Sequence, residues 1–422
     1  MTIFMIQCFT MFFIYLDGKK EYRHNLKNAY RSQVPNDEFF YFVMIPCLNE
    51  GKVIKDTIQH LMELGGRKQI IIIDDDSIDD TLIQANSIKG PITIHERKLP
   101  KARTGKGDSL NSALPVVTNY IRKHHLDPQK CIVGVLDADG ILSANSIYKL
   151  NDAFNDSNVD AVQLRVKMKS PNKILQTFQD IEFYVINNLI QLIRTNLNAV
   201  ALCGNGQFFR VSSVLKQLGD QPWGNALLED YELTLRMELH GLHIKYLNDA
   251  YVDQEALISV KRLIKQRARW AQGGWNCWKY LPDIIRSKIM TPSQKFDAYF
   301  FFFQPIINLL GDFSIIYLTA QFILRYAAEP EFLVFAIIVL AIAGLFFGAM
   351  FTLIYRTEIK TTDKAHLELS RLDILNGHLH FRKMFLAIGL ISYIYIILFV
   401  SVIISLYHLI VGQRTWDKTK RI

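Results

Sequence analysis

Cysteine is scarce and scattered in this chain. Cys8, Cys47, Cys131, Cys203 and Cys277 are spread over 422 residues and form no C-x-x-C pair. That spacing argues against a zinc site or a disulfide framework and suits a reducing compartment. Internal repeats and low-complexity linkers are lacking too, so no solenoid or string of tethered modules is expected. Positive charge is in excess, 48 Lys and Arg against 40 Asp and Glu for a net of +8, but it is not gathered into a basic arm. A nucleic-acid partner is therefore not expected. Gly105-Lys106 lacks the G-x-x-x-x-G-K-S/T spacing, which excludes a Walker-type phosphate loop.

Apolar surface, by contrast, is plentiful. Half of the residues are hydrophobic and the mean hydropathy is +0.11, a positive value that soluble enzymes rarely reach. The excess sits in blocks at 2–16, 298–324, 332–355 and 385–411. The first block is short for a membrane span, which needs about 20 residues. Lys19, Lys20 and Arg23 follow it, so that flank is expected in the cytosol with the N-terminus outside. A signal peptide is the competing reading, but the run has no basic segment before it and no A-x-A site after it. The block at 298–324 contains Gln304, Pro305, Gly311 and Asp312, which predicts a broken helix or an interfacial piece plus a short span. Three full crossings would leave the basic tail 414–422 outside, against the positive-inside rule, and the sequence leaves that parity open. The positive charge itself fits either an anionic lipid surface or an anionic substrate.

From Phe39 to about Tyr251 the pattern changes to short apolar runs separated by helical periodicity. Residues 42–45, 70–73 and 131–136 read as fully buried strands of a mostly parallel sheet, and 54–62 as an intervening helix. Ligands of such sheets bind beyond the carboxyl ends of the strands. The polar tails of these three runs lie at that edge. The expected organisation is an N-terminal span at 1–18, a cytosolic α/β domain at 36–251, interfacial amphipathic helices at 252–295, a transmembrane region at 296–413 and a tail at 414–422. In the 252–295 stretch Lys261, Arg262, Lys265, Arg267 and Arg269 alternate with Leu263, Ile264, Trp270, Trp275, Trp278 and Tyr280. This predicts helix at the membrane interface with tryptophans at headgroup depth. An amphipathic helix docked on the soluble domain is the other reading.

Several polar clusters could carry chemistry. Asp137 and Asp139, in Asp-Ala-Asp-Gly, point to the same side of a strand end and could hold a hard divalent cation, though aspartates also favour turns and helix caps. Asp74-Asp75-Asp76 groups three carboxylates that repel one another, an arrangement not made for stability, though a solvated acidic loop is the other reading. Glu229-Asp230 could be a general base with its support, or simply acids at a helix N-terminus. Gln266, Arg269 and Trp270 occur at i, i+3 and i+4 and share one helix face. Arginine matches phosphate oxygens bidentately, and tryptophan offers an apolar face to a sugar ring.

The ordered set D-x-D, E-D and Q-x-x-R-W before apolar segments resembles the processive family 2 glycosyltransferases, which include cellulose, chitin, hyaluronan and poly-N-acetylglucosamine synthases. The resemblance implies a GT-A α/β domain, Rossmann-like with a mostly parallel sheet, plus α-helical transmembrane and interfacial helices. It implies an inverting, metal-dependent hexosyltransferase that takes a UDP-sugar, with UDP-N-acetylglucosamine or UDP-glucose as donor, and elongates an extracellular polysaccharide. Asp139 would be the principal ligand of Mg²⁺ or Mn²⁺, helped by Asp137. Asp230 would be the base and Glu229 its support. Pro46, Glu50, Asp74, Asp75, Lys106, Asp137 and Arg269 would hold the donor nucleotide, and Trp270, Gln266 and Gly204 the acceptor. The chain departs from the family pattern at Leu48, Asp76, Asn205 and Leu228, where an aromatic, a glycine, a hydroxyl residue and a threonine are usual. Cys203 is expected to be a buried filler. A multi-pass protein of a bacterial cell membrane with a cytosolic catalytic domain follows, in contact with lipids and open to an accessory membrane subunit. With roughly ten residues after the last apolar block, no C-terminal regulatory domain is expected. Two alternatives stand beside it: a non-processive transferase acting on a lipid carrier or glycolipid, and a non-catalytic nucleotide-sugar-binding membrane subunit.

Overall fold

The computed structural model describes residues 13, 37–169, 171, 173–327, 329–364, 389–390 and 393–412. The expected span at 1–18, apart from Phe13, and the tail at 414–422 lie outside the described residues. One eight-stranded sheet organises the first part of the chain. Its strands are β1 (Phe40–Cys47), β2 (Arg67–Asp75), β3 (Ile92–Arg97), β4 (Cys131–Val135), β5 (Ile141–Leu142), β6 (Ala161–Met168), β7 (Gln207–Arg210) and β8 (Ile244–Gln254), in the order β3-β2-β1-β4-β7-β6-β8-β5. The four strands β3, β2, β1 and β4 run parallel, as do β6 and β8; β7 is antiparallel to both β4 and β6, and β5 to β8. The mostly parallel α/β architecture expected from the sequence is therefore present.

The apolar runs make strands because helices cover both faces. The helices used below are α1 (Ile54–Glu63), α2 (Lys106–Lys123), α3 (Asn188–Asn196), α4 (Glu229–Leu239), α5 (Val260–Asn276), α6 (Pro292–Tyr326), α7 (Pro330–Lys364) and α8 (Phe399–Val411). In β2, Ile70 and Ile72 join Ile54, Ile58 and Leu61 of α1, while Ile71 and Ile73 join Leu110, Leu114 and Val117 of α2. All four isoleucines are fully buried, each contributing about 1.5–3 kcal/mol. An alternating strand would leave one of these two cores empty.

After β8 the chain becomes helical. The 298–324 block does not break. α6 runs unbroken for 35 residues through Pro305, and among the described residues it is the one helix long and apolar enough to cross a membrane. Its first turns dock on the sheet domain: Asp297 pairs with Arg194 of α3 at 3.0 Å, and Phe301 stacks on Tyr231 of α4 at 3.7 Å. Beyond them Leu310, Phe313, Leu318 and Leu324 point outward and are exposed. The interfacial piece and the span predicted separately are one continuous helix. A shorter apolar helix covers Ile396–Val411.

α7 is tied to the sheet domain by buried polar contacts. Arg165 of β6 meets Glu358 at 3.2 Å, and the Tyr355 hydroxyl donates to Asp180 at 2.5 Å. Asp180 lies in the helix Ile174–Ile181, which continues through a π-helical turn at Glu182–Asn187 into α3.

Candidate active site

A cavity of about 570 Å³ opens at the carboxyl ends of β1, β2 and β4 and continues between α5, α6 and α8. Its floor is built by the turns that end the strands. After β1, Asn49 takes φ +58° and accepts from the Ile78 N–H at 2.9 Å, while its own N–H donates to Ser77 Oγ at 3.0 Å. The first and second loops are thus locked together. Asp76 takes φ +66°, the left-handed conformation that the usual glycine would adopt and that aspartate tolerates better than most residues. The departure at Asp76 therefore leaves the turn intact.

Adjacent aspartates at the end of β2 part company. Asp75 lines the cavity and receives Arg97 Nη1 at 2.6 Å; burial raises its pKa, against backbone hydrogen bonding at Arg103 and the charge of Arg97. Asp74 is fully buried, does not line the cavity, and accepts the Ser77 N–H at 3.2 Å. Successive strand residues face opposite ways, so the pair expected to act together is divided between one cavity residue and one turn residue. Pro46 and Glu50 both line the cavity from the β1 loop.

Opposite them, charges converge on one amine. Lys106, at the N-terminus of α2, places Nζ 2.7 Å from Asp137 Oδ1, 3.4 Å from Glu229 Oε1 and 3.4 Å from the Gly204 carbonyl. Burial alone would lower its pKa, but Asp137, Glu229 and Asp230 hold it above the usual lysine range. Asp230 responds in kind. Burial first, and the Glu229 charge second, push its carboxyl up to about 7 despite Lys106. Glycine is required at 204: φ is +73°, and a Cβ there would fall 2.8 Å from Asp230 Oδ2. Asp139 is buried, accepts the Glu255 N–H at 2.9 Å and lines the same wall.

The third wall is α5. Gln266, Arg269 and Trp270 all line the cavity, as their shared helix face predicts. Arg269 makes no ion pair within 4.0 Å among the described residues, and its Nε is buried without a hydrogen-bond partner. The charges it feels are those of Glu229, Asp137 and Asp230. The helix approaches closely because of Gly273, where a Cβ would come within 2.5 Å of the Leu228 backbone nitrogen and side chain. Leu228, the departure from the family's threonine, is part of this apolar seam. Three tryptophans of this stretch face the cavity. Trp270, Trp275 and Trp278 line the cavity, and Trp275 Nε1 donates to Ser405 Oγ of α8 at 3.1 Å. The helix is clasped between the sheet domain and α8.

Other lining residues carried no signal in the sequence. Glu182, Phe183 and Asn187 come from the π-helical turn. Cys203 is not the expected buried filler; its thiol lines the cavity, 3.3 Å from Gln191 Nε2. It stands beside Gly204, so an account of the glycine turn would have exposed it.

Among the described residues no group of three or more His, Cys, Asp or Glu side chains closes around one point. Asp137 and Asp139 instead offer a two-carboxylate half-site on the cavity wall. That fits Mg²⁺ or a similar hard cation, which uses one or two carboxylates and takes its remaining oxygens from water and substrate phosphate.

Comparison with known proteins agrees with this arrangement. The model of glycosyltransferase-like family 2 matches residues 37–273. The chain is 28% identical over 302 residues to the poly-β-1,6-N-acetyl-D-glucosamine synthase of Staphylococcus aureus (strain COL), covering 70% of this chain and 68% of that protein. It is 27% identical over 279 residues to the β-monoglucosyldiacylglycerol synthase of a Nostoc species, covering 64% of this chain and 57% of that protein. Among solved structures, a mannosyltransferase of Pyrobaculum calidifontis superposes with a TM-score of 0.54 at 17% identity, covering 84% of this chain and 98% of that one. The likeness shows a shared GT-A fold.

Proposed function

Because the chain belongs to glycosyltransferase-like family 2, we propose that it is a membrane-embedded, inverting UDP-sugar β-glycosyltransferase that elongates a polysaccharide. One observation carries the reading: Lys106 pairs with Asp137 and Glu229 and feels the charge of Asp230, in a cavity whose next wall is Arg269 and Trp270. The anionic donor lies between Lys106 and Arg269, with its base towards Asp75 and the Pro46–Glu50 loop. The acceptor sugar rests on Trp270, near Gln266 and Gly204. Asp230 takes the proton of the acceptor hydroxyl as its oxygen attacks the anomeric carbon. The bond to the diphosphate breaks on the opposite face, and UDP leaves with the bonding electrons. Glu229 holds Asp230 poised through its charge. A Mg²⁺ or Mn²⁺ ion between Asp137 and Asp139 would offset the negative charge of the departing diphosphate.

The polysaccharide synthase relative supports UDP-N-acetylglucosamine as donor and a polymer as product; UDP-glucose is the other donor. Membrane embedding is supported by α6, whose outward Leu310, Phe313, Leu318 and Leu324 need an apolar surrounding. The domain of 36–251 then lies in the cytosol, with the apolar sequence blocks at 332–355 and 385–411 as further crossings. The glycolipid synthase relative favours a second reading, a single transfer to a lipid.

The test is UDP release by protein in lipid nanodiscs, with Mn²⁺ or Mg²⁺ and a panel of UDP-sugars, followed by sizing of the product. Release with one sugar and a long product supports the polymer reading. A one-sugar lipid product supports the second, and UDP binding without release from any donor rejects both.

Two further results are expected. With Asp230 as base, kcat/KM falls as pH drops through its pKa of about 7 and levels off above it; a profile flat from pH 5 to 8 would rule Asp230 out. Gly204→Ala displaces Asp230 and lowers kcat on the order of 10²-fold, with a smaller change in donor KM. Steady-state UDP release checks this, and a variant with wild-type kcat would show that Asp230 tolerates displacement.

A further inference from the structure

One arginine on the α5 wall has no part in the scheme above. Arg267 is only 4% exposed. Its Nη2 lies 2.7 Å from Glu182 Oε2 and 3.4 Å from the Tyr393 hydroxyl, and that hydroxyl also donates to Glu182. Its Nε and Nη1 are buried and make no hydrogen bond among the described residues. The guanidinium lies against aromatic rings instead, with Cζ 4.2 Å from the Trp270 ring centroid and 5.3 Å from that of Phe183. Phe183 meets Trp270 edge to face, with centroids 6.0 Å apart and planes at 75°.

We propose that Arg267 is a positioning residue, which Glu182 and Tyr393 orient so that it covers one face of Trp270 and leaves the other to the acceptor. This rests on the reading of Trp270 as the acceptor floor. A lone indole on a helix rotates about two side-chain bonds, and a sugar stacks only on a plane that stays put. Covering one face with a planar cation and pressing the edge with Phe183 removes that freedom. Arginine suits the task because it stacks and pairs at once, whereas a lysine ammonium is a point charge. The contribution to stability explains less, since a buried ion pair is often no better than apolar packing. The clamp draws on three distant parts of the chain: Glu182 opens the π-helical turn, Arg267 lies on α5, and Tyr393 stands just before α8. π-helical turns recur at functional sites, and here the turn supplies both Glu182 and Phe183 to the Trp270 surroundings.

The test combines a spectroscopic and a kinetic readout on the full chain in nanodiscs. With 5-fluorotryptophan the five tryptophans give separate fluorine resonances, and Trp270→Phe identifies one of them. Arg267→Met keeps the bulk of the side chain, and Glu182→Gln and Tyr393→Phe keep shape while weakening the clamp. In each, the Trp270 resonance is expected to shift or broaden while the Trp223 resonance stays. With UDP-N-acetylglucosamine and a β-1,6-linked N-acetylglucosamine oligomer as probes, acceptor KM rises roughly tenfold. UDP affinity is unchanged, and more UDP is released per sugar transferred. An unmoved Trp270 resonance in Arg267→Met overturns the proposal, as does an equal loss of UDP and acceptor affinity. If the wild type transfers no sugar from any donor, the functional reading fails, and the Trp270 resonance still decides the positioning role.

Discussion

Asp230→Asn is expected to lower sugar transfer by roughly 10²–10⁴-fold while UDP still binds. The amide keeps the shape of the carboxyl, so the Gly204 turn and the α4 N-terminus need not move. It cannot accept the acceptor proton, and transfer then relies on water. The same substitution should stabilise the fold at high pH. Burial and the Glu229 charge raise the folded pKa of Asp230 to about 7, above the ordinary carboxylate value. A raised folded pKa means that stability is fully present below the unfolded value and is lost as pH rises through about 7. The amide removes that loss. Tm of the variant should therefore exceed that of wild type at pH 8, with the gap closing towards pH 4. Near-wild-type transfer by Asp230→Asn would eliminate Asp230 as the base, and a Tm gap that ignored pH would show that its charge is not strained.

Lys106→Met should come next in effect. Lys106 is the cation shared by Asp137 and Glu229 and felt by Asp230. Removing it leaves three carboxylates on one cavity wall. A loss of roughly 10²-fold or more in transfer is expected, in the range seen when one preorganised charge is withdrawn from a transition state. Donor KM should rise with it. Asp230 would become harder to ionise, so the acid limb of the remaining activity should move above 7. Stability should fall by about 1–3 kcal/mol at neutral pH. Because protonation relieves the carboxylates, that deficit should shrink as pH drops. Denaturation in detergent at pH 5 and pH 8, beside the pH–rate profile, measures both effects. An unshifted acid limb would mean that Lys106 and Asp230 are not coupled.

Much of this site was legible in the sequence because its parts are local. A strand end, a D-x-D and a helix face of Gln266, Arg269 and Trp270 each announce themselves within a few residues, and the parallel sheet brings such ends to one edge. The four-isoleucine run of β2 predicted burial on both faces for the same reason. The division of Asp74 from Asp75 was also readable, since successive strand residues turn to opposite faces. Contacts between distant segments were not readable. Arg267 looks like one more basic residue on an amphipathic helix, and its inward position depends on a glutamate 85 residues earlier and a tyrosine 126 residues later. The docking of α6 on the sheet domain likewise rests on Arg194 and Tyr231, which lie far from it in sequence.

The contact at Gly273 also bears on how this enzyme could be rebuilt. With no side chain there, α5 is seated against Leu227 and Leu228, and the chain passes from Leu228 directly into Glu229 and Asp230. Trp270 and Asp230 are thus mounted on one chassis. The Asp75 and Pro46–Glu50 loops belong to another, hung from β1 and β2. A chimera that grafts α5 alone from a homologue would carry Trp270 without its registration to Asp230. The unit to move is α5 together with the 227–230 loop, since the Asp75 and Pro46–Glu50 loops hang from the sheet instead.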